Sequence, residues 1–194
     1  MAARSQRFPR DQLLEAVEAA TIPSEAKTML ARLGREIEHL DTKLAELEVQ
    51  LMAMHKTNPL SQRLATIPGI GVIIALTLAI EVDPAAFQSG RHLAAWIGLT
   101  PREHSTAGKQ RMGGISRAGN ERLRRSLVTG ATAVIRFATR PGNQQPNEWL
   151  VRLLRRKPRK LAAVALANKM ARMAWAIMTS GETYRRPAAG AASA

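Results

Sequence analysis

Three hydroxyl side chains, those of Ser105, Thr106 and Ser116, lie in a stretch that is dense in cations and poor in acids. The cations of this stretch are Arg102, Lys109, Arg111, Arg117, Arg122, Arg124 and Arg125. Because so few carboxylates lie between them, they indicate contact with phosphate rather than a self-paired, solvated surface. A serine among arginines ordinarily donates a hydrogen bond to phosphate, and it becomes a nucleophile when a base removes its proton. The residue types alone favour the first role.

The pair Gly108-Lys109 in the same stretch is not a nucleotide-binding phosphate loop. That loop needs a glycine five residues before its second glycine and a serine or threonine directly after the lysine. Glu103 and Gln110 occupy those two places. Ser116 has an ordinary structural role open to it as the cap of the following helix.

Metal chemistry finds little support in the residues after position 58. Their only acids are Glu81, Asp83, Glu103, Glu121, Glu148 and Glu182. A two-metal nuclease needs several carboxylates that converge from different elements. The chain has no cysteine, and no second ligand stands at metal spacing from His92. We therefore expect this chain to bind no metal.

Charge is distributed unevenly along the 194 residues. Residues 1–58 hold 8 Lys or Arg and 9 Asp or Glu, whereas residues 59–194 hold 21 and 6. The second part therefore carries a net charge of +15 and predicts a polyanionic partner, with nucleic acid favoured over an acidic membrane. The longest apolar run, residues 72–80, is too short to span a bilayer, and the N-terminus lacks the apolar core of a signal peptide. We expect a cytoplasmic, nucleoid-associated protein with no membrane partner.

A glycine turn between two apolar segments, residues 61–82, matches the pattern of a helix-hairpin-helix. Pro68-Gly69-Ile70-Gly71 separates a short helix from one that restarts at Val72. Glycines permit backbone angles closed to other residues and leave amide groups bare at a helix N-terminus, where one DNA phosphate can bind. The alternative is a plain tight turn between packed helices.

A heptad pattern precedes this turn. Its apolar positions, spaced alternately by three and four residues, are Leu30, Leu33, Ile37, Leu40, Leu44, Leu47, Leu51 and Met54. So narrow a stripe predicts a coiled coil, through which residues 30–54 join two copies of the chain or pair with another helix. The alternative is one amphipathic helix packed on its own domain.

The sequence therefore predicts an all-α protein with a long coiled-coil helix followed by a compact helical domain. The predicted boundaries are an N-terminal segment at 1–23, the coiled coil at 24–58, a basic helical domain at 59–181 and a disordered tail at 182–194. Within the helical domain, residues 105–115 could form a small hairpin.

Four blocks resemble a known family in their order and spacing: "IPGIG", "FQSGRHLAAWIGLTP", "HSTAGK" and "GGISRAGNERLRR". Over residues 63–131 they are similar to the C-terminal Tnp domain of the DEDD transposases of bacterial insertion sequences. That family includes a pilin-gene invertase and the bridge-RNA-guided recombinases. The heptads before the blocks resemble the coiled coil that connects the two domains of these enzymes.

The resemblance implies a transposase that binds DNA and leaves a guide RNA open as a further partner. It implies Ser105 as the nucleophile that attacks the DNA backbone, with Thr106 as the alternative; neither His104 nor Glu103 is assigned as the base. The expected DNA-binding residues are Gly69, Gly71, Arg102, Lys109, Arg111, Arg117, Asn120, Arg122, Arg124 and Arg125.

The same resemblance implies that Mg²⁺ belongs to an N-terminal RuvC-like domain, which we expect this chain to lack. We therefore expect a truncated transposase that is not catalytically competent alone and that could pair with an intact one. Two other functions stay open. One is a non-catalytic DNA- or RNA-binding module dimerised by the coiled coil, and the other is an assembly protein whose basic face is incidental.

Overall fold

The computed structural model describes residues 13–103, 112–140 and 147–185, and these residues form eight α-helices and one two-stranded sheet. The prediction of an all-α fold is confirmed. The chain divides into two compact units, Met1–Leu51 and Met52–Ala194.

The first unit contains α1 (Leu13–Ala19) and the greater part of α2 (Ser24–Thr57). Val17 and Gly34 are buried, and Lys27 Nζ donates to the carbonyl of Glu18 at 2.8 Å. The 34 residues of α2 form one uninterrupted helix about 51 Å long at 1.5 Å per residue. The heptad residues from Leu30 to Leu47 are 40–59 % exposed in the single chain. The apolar stripe therefore does not pack on its own unit, and coiled-coil pairing stays a prediction.

The second unit is built from six shorter helices and a hairpin. In chain order these are α3 (Pro59–Ala65), α4 (Val72–Glu81), a 3-10 turn (Pro84–Ala86), α5 (Gly90–Trp96), β1 (Pro101–Glu103), β2 (Met112–Ile115), α6 (Glu121–Ala138), α7 (Glu148–Arg156) and α8 (Arg159–Ser180). Strands β1 and β2 are antiparallel, with Pro101 opposite Ile115, Glu103 opposite Met112 and an irregularity between the two pairs.

Helix α8 is the centre of this unit and packs against α3, α5, α6 and α7. Its buried positions are mostly alanines, which let neighbouring helices approach closely, and Met170 is fully buried among them. Fully buried leucines from the surrounding helices, such as Leu93, Leu127 and Leu150, complete the core. By length and hydropathy α8 could cross a membrane, but its central position in the core accounts for that composition.

Side-chain caps set the starts of several helices, as expected for asparagine and serine at this position. Ser89 accepts from the His92 amide before α5, and Asn120 and Asn147 cap α6 and α7 in the same way. Because Asn120 caps α6, the prediction of Ser116 as the cap is wrong. The Ser116 hydroxyl is enclosed and has no hydrogen-bond partner within the described residues.

Candidate nucleic-acid interface

The β1–β2 hairpin anchors both ends of the segment that carries the hydroxyl residues. The guanidinium of Arg102 donates to the carbonyl of Ser116 at 3.0 Å, and the Ser116 amide donates to Thr100 at 2.8 Å. These bonds tie the chain before the hairpin to the chain after it. Ser105, Lys109 and Arg111, together with Thr106 and His104, lie outside the described residues.

The turn after β2 is pressed against the C-terminal end of α5. Gly119 has φ +80°, and a side chain there would overlap the carbonyl of Trp96. Gly98 has φ +81°, and a side chain there would overlap the carbonyl of Ala118. Arg117 lies between these contacts with φ +56°, and its side chain is exposed. Close backbone packing therefore fixes an exposed cation beside the hairpin.

Arg124 joins the same contact from α6. It is 8 % exposed, and its Nη1 donates to the carbonyls of Ile97 at 2.8 Å and Ala118 at 3.1 Å. Those carbonyls belong to the end of α5 and to the turn before α6. The guanidinium is therefore an internal link between two loops, and its burial disagrees with the prediction that Arg124 contacts DNA.

The N-terminal end of α6 presents two other arginines to solvent. Arg122 is paired with Glu81 at the end of α4, and Arg125 Nη2 lies 2.8 Å from Glu121 Oε1. The Arg122 and Arg125 side chains are 70 % and 79 % exposed, so both remain accessible to a phosphate. Ion pairs between exposed side chains contribute little to stability.

Both polar atoms of the Asn120 side chain form hydrogen bonds within the protein. Its Oδ1 accepts from the Leu123 amide at 2.9 Å, and its Nδ2 donates to Glu81 Oε2 at 3.4 Å. The residue therefore holds the start of α6 against the end of α4, close to Arg122. Arg102, Arg117, Arg122 and Arg125 form the basic surface around the hairpin and the start of α6, which we call the hairpin face.

The glycine turn between α3 and α4 divides into an inward half and an outward half. Gly69 has φ +92°, and its carbonyl lies where a side chain on Gly130 of α6 would be. Gly71 is exposed, begins α4 without a side-chain cap and has open space around it. Gly69 therefore serves internal packing, while Gly71 leaves amides open at the start of α4.

The α4 start does not coincide with the hairpin face. The glycine turn meets α6 at Gly130, whereas the far end of α4 meets α6 at Arg122, so the two helices run antiparallel. The ten residues of α4 place its start about 15 Å from Glu81. The predicted DNA-binding residues therefore occupy two locations, both on the second unit.

Catalytic groupings are sparse in the part of the chain that the structure describes. A serine–histidine hydrogen bond joins His55 Nδ1 and Ser61 Oγ at 2.8 Å, but Ser61 is completely buried and no substrate can reach it. Within residues 13–103, 112–140 and 147–185, no three His, Asp or Glu side chains group so as to hold a metal ion.

A second basic surface was missed in the sequence. The end of α7 and the start of α8 hold six exposed cations in nine residues: Arg152, Arg155, Arg156, Lys157, Arg159 and Lys160. No acid lies among them. The run was visible in the sequence as a cluster of like charges, which is typical of a polyanion-binding surface.

Comparison with known proteins gives one family and several relatives. The family model described as Transposase IS116/IS110/IS902 family matches residues 61–145, which include most of α3, all of α4 to α6 and the hairpin. A putative transposase of Sinorhizobium fredii, y4pF/y4sB, is 48 % identical over 178 residues, covering 91 % of this chain and 46 % of its own length. A probable family 20 transposase of Pseudomonas aeruginosa is 40 % identical over 189 residues, covering 95 % of this chain and 56 % of its own length.

More distantly, a pilin gene-inverting protein of Moraxella bovis is 28 % identical over 155 residues, which cover 76 % of this chain and 47 % of that protein. The chain thus spans about half the length of these curated relatives.

Replacing Arg124 by methionine should destabilise the second unit, because the carbonyls of Ile97 and Ala118 lose their donor inside the protein. We expect the free energy of unfolding to fall by about 1–3 kcal/mol. Arg125→Met, one residue along and exposed, should change it by less than about 0.5 kcal/mol. Urea unfolding of both variants measures the two changes in the free energy of unfolding. Equal stability of the two, with weaker DNA binding by Arg124→Met, would instead make Arg124 a DNA contact.

Proposed function

Residues 61–145 form a domain of the IS116/IS110/IS902 transposase family, and on this premise we propose that the chain is the DNA-binding and strand-transfer part of an insertion-sequence recombinase. The observation that carries the proposal is the hairpin face. It lies inside the matched segment and presents Arg102, Arg117, Arg122 and Arg125 around a hairpin whose strands flank Ser105.

The charges of this face suit a DNA backbone. Arginine is well adapted to phosphate because its planar guanidinium offers several donors in a fixed geometry. The carboxylates nearby, Glu81 and Glu121, each pair with one exposed arginine and do not cover the rest of the surface. The proposed contacts are to phosphates, which position DNA without reading its sequence.

Binding of duplex DNA should weaken steeply as salt rises, because each phosphate contact releases counterions. For each of Arg122→Gln and Arg125→Gln, we expect the slope of log K against log salt to fall by about 1. Arg136→Gln, an exposed position in the last turn of the same helix, is the matched control and should keep the parent slope. Fluorescence anisotropy from 50 to 300 mM salt provides the measurement.

Two results would contradict this assignment of DNA contacts. An affinity that is flat in salt would favour the assembly function, and slopes unchanged in both α6 variants would remove the hairpin face from the interface. A structured RNA competitor that displaces DNA from the parent and not from the variants would show that the same face also takes a guide RNA.

Ser105 is the proposed nucleophile. Its Oγ would attack a backbone phosphorus, forming a new phosphate ester while the bond from phosphorus to one deoxyribose oxygen breaks. The serine proton is lost and the released sugar hydroxyl takes up a proton, so the phosphodiester is conserved and attack by a DNA hydroxyl can release the serine. Exposed arginines of the hairpin face would offset the charge that develops on the phosphate. We propose that Mg²⁺ needed for this chemistry is held by a RuvC-like domain.

Trapping the covalent intermediate tests this role. Incubated with element-end DNA, Mg²⁺ and an added RuvC-like domain, the parent should give a protein–DNA adduct on a denaturing gel. Ser105→Ala should abolish the adduct, and Thr106→Ala should retain it. If only Thr106→Ala loses the adduct, the nucleophile is Thr106 and not Ser105. No adduct from the parent under these conditions would leave a non-catalytic DNA-binding module.

Self-association through α2 is the second part of the proposal. The exposed heptad stripe of residues 30–54 would bury its leucines against a second copy or against an intact relative. Leu44 lies on the stripe, whereas Val49, which is 70 % exposed, lies off it.

Introducing a charge at Leu44 should separate the copies. We expect Leu44→Glu to weaken self-association at least about tenfold, which corresponds to 1.4 kcal/mol, because glutamate cannot be buried in the seam without a partner. Val49→Glu adds the same charge to the same helix and should leave association unchanged. Sedimentation at several concentrations decides, and a strictly monomeric parent chain would refute pairing between copies.

A further inference from the structure

A recess on the second unit lies away from the hairpin face. It is bounded by the start of α5, by α7 and by one face of α8, and its volume is about 790 Å³. Side chains that line it include Arg91, Trp149, Lys169, Arg172 and Trp175. The hairpin turn packs against the opposite end of α5, and the seven residues of that helix separate the two sites by about 10 Å.

The recess is positively charged, and no carboxylate among its described lining residues neutralises that charge. The cations that line it are Arg91, Lys169 and Arg172. Within the described part of the chain, none of the three cations forms an ion pair with a carboxylate. Their mutual repulsion would be relieved by a bound anion.

Lys169 is the least solvated of these cations. Its Nζ lies 4.2 Å from the ring centroid of Trp149, and its side chain is partly buried. Burial of the ammonium, followed by repulsion from Arg172, lowers the pKa of Lys169. An anion in the recess would favour the charged form of this lysine.

The two tryptophans give the recess rigid aromatic walls. Trp175 Nε1 donates to the carbonyl of Pro84 at 3.2 Å, which fixes that ring. Gly90 begins α5 directly against the backbone of Arg172, with little room for a side chain. A positively charged groove with aromatic walls is the arrangement by which proteins bind single-stranded nucleic acid.

The basic surface described above continues from this recess along α7. Arg152 and Arg156 are three and seven residues after Trp149, which places them on the same side of the helix, and both are exposed. The distance from Trp149 to Arg156 is about 10 Å along the helix. This length accommodates several consecutive phosphates, and the recess volume lies in the range of pockets that enclose a small ligand rather than a duplex.

We propose that this recess binds an unpaired nucleic-acid strand, with one backbone phosphate held by Arg91, Lys169 and Arg172 and the following phosphates along Arg152 and Arg156. The site is separate from the hairpin face and does not depend on the function proposed for it.

Tryptophan fluorescence reports on the recess directly, because two of the three tryptophans of the chain line it. In a Trp96→Phe background, a 12-residue oligothymidylate should quench the remaining emission to saturation. The double variant Lys169→Met with Arg172→Gln should bind it at least tenfold more weakly, and its slope of log K against log salt should fall by about 0.7, the change expected for one phosphate contact on a single strand. Arg91→Gln, an exposed position that should not affect folding, should weaken binding in the same direction.

Matched variants separate this site from the hairpin face. Arg122→Gln with Arg125→Gln removes the same charge and should leave quenching by the oligonucleotide unchanged, and Arg136→Gln should do likewise. Oligouridylate in place of oligothymidylate shows whether the strand is RNA or DNA. The proposal fails if Arg91→Gln and the recess double variant, folded by circular dichroism, retain the parent affinity and salt slope. It also fails if polyglutamate quenches and competes as well as the oligonucleotide, since the recess would then take acidic polypeptide.

Discussion

The buried guanidinium of Arg124 links three parts of the second unit. Its two hydrogen bonds reach the end of α5 and the turn after the hairpin, while its own backbone belongs to α6. A buried cation costs free energy unless it has hydrogen-bond partners, and here the acceptors are backbone carbonyls at the end of α5 and in the turn before α6. The glycines at 98 and 119 bring those carbonyls within reach because they leave no side chain between the two segments. Everything proposed for the hairpin face depends on this contact.

Periodic patterns in the sequence predicted the elements well. The heptad spacing predicted one long helix, and the structure has α2. Whether an individual arginine is buried or exposed was harder to predict, because composition does not distinguish neighbouring cations in a run. A signal was present at Arg124, which shares a helical face with the buried Leu127 and Ala131. Gly69 resembled a phosphate-binding glycine, yet tertiary packing against Gly130 accounts for it.

Other features could not have been read from the sequence because they depend on distant segments meeting. The recess unites the start of α5 with residues of α7 and α8 that lie some sixty to eighty positions later. Glu81 pairs with Arg122, 41 residues away, and no spacing in the sequence indicates this pair. The first hairpin strand, β1, also lies before the stretch 105–115 in which a hairpin was expected, and the hydrogen bonds that join Arg102 and Thr100 to Ser116 extend the base of the hairpin.

At position 117 an arginine adds positive charge to the hairpin face but lowers the stability of the folded domain. A left-handed backbone costs an L-residue with a side chain about 1 kcal/mol or more, and glycine adopts it without strain. Selection of variants for thermal resistance alone would therefore favour glycine here and would remove a cation from the hairpin face. If the hairpin face binds DNA as proposed, the most stable version of this domain would bind DNA less tightly than the version that exists.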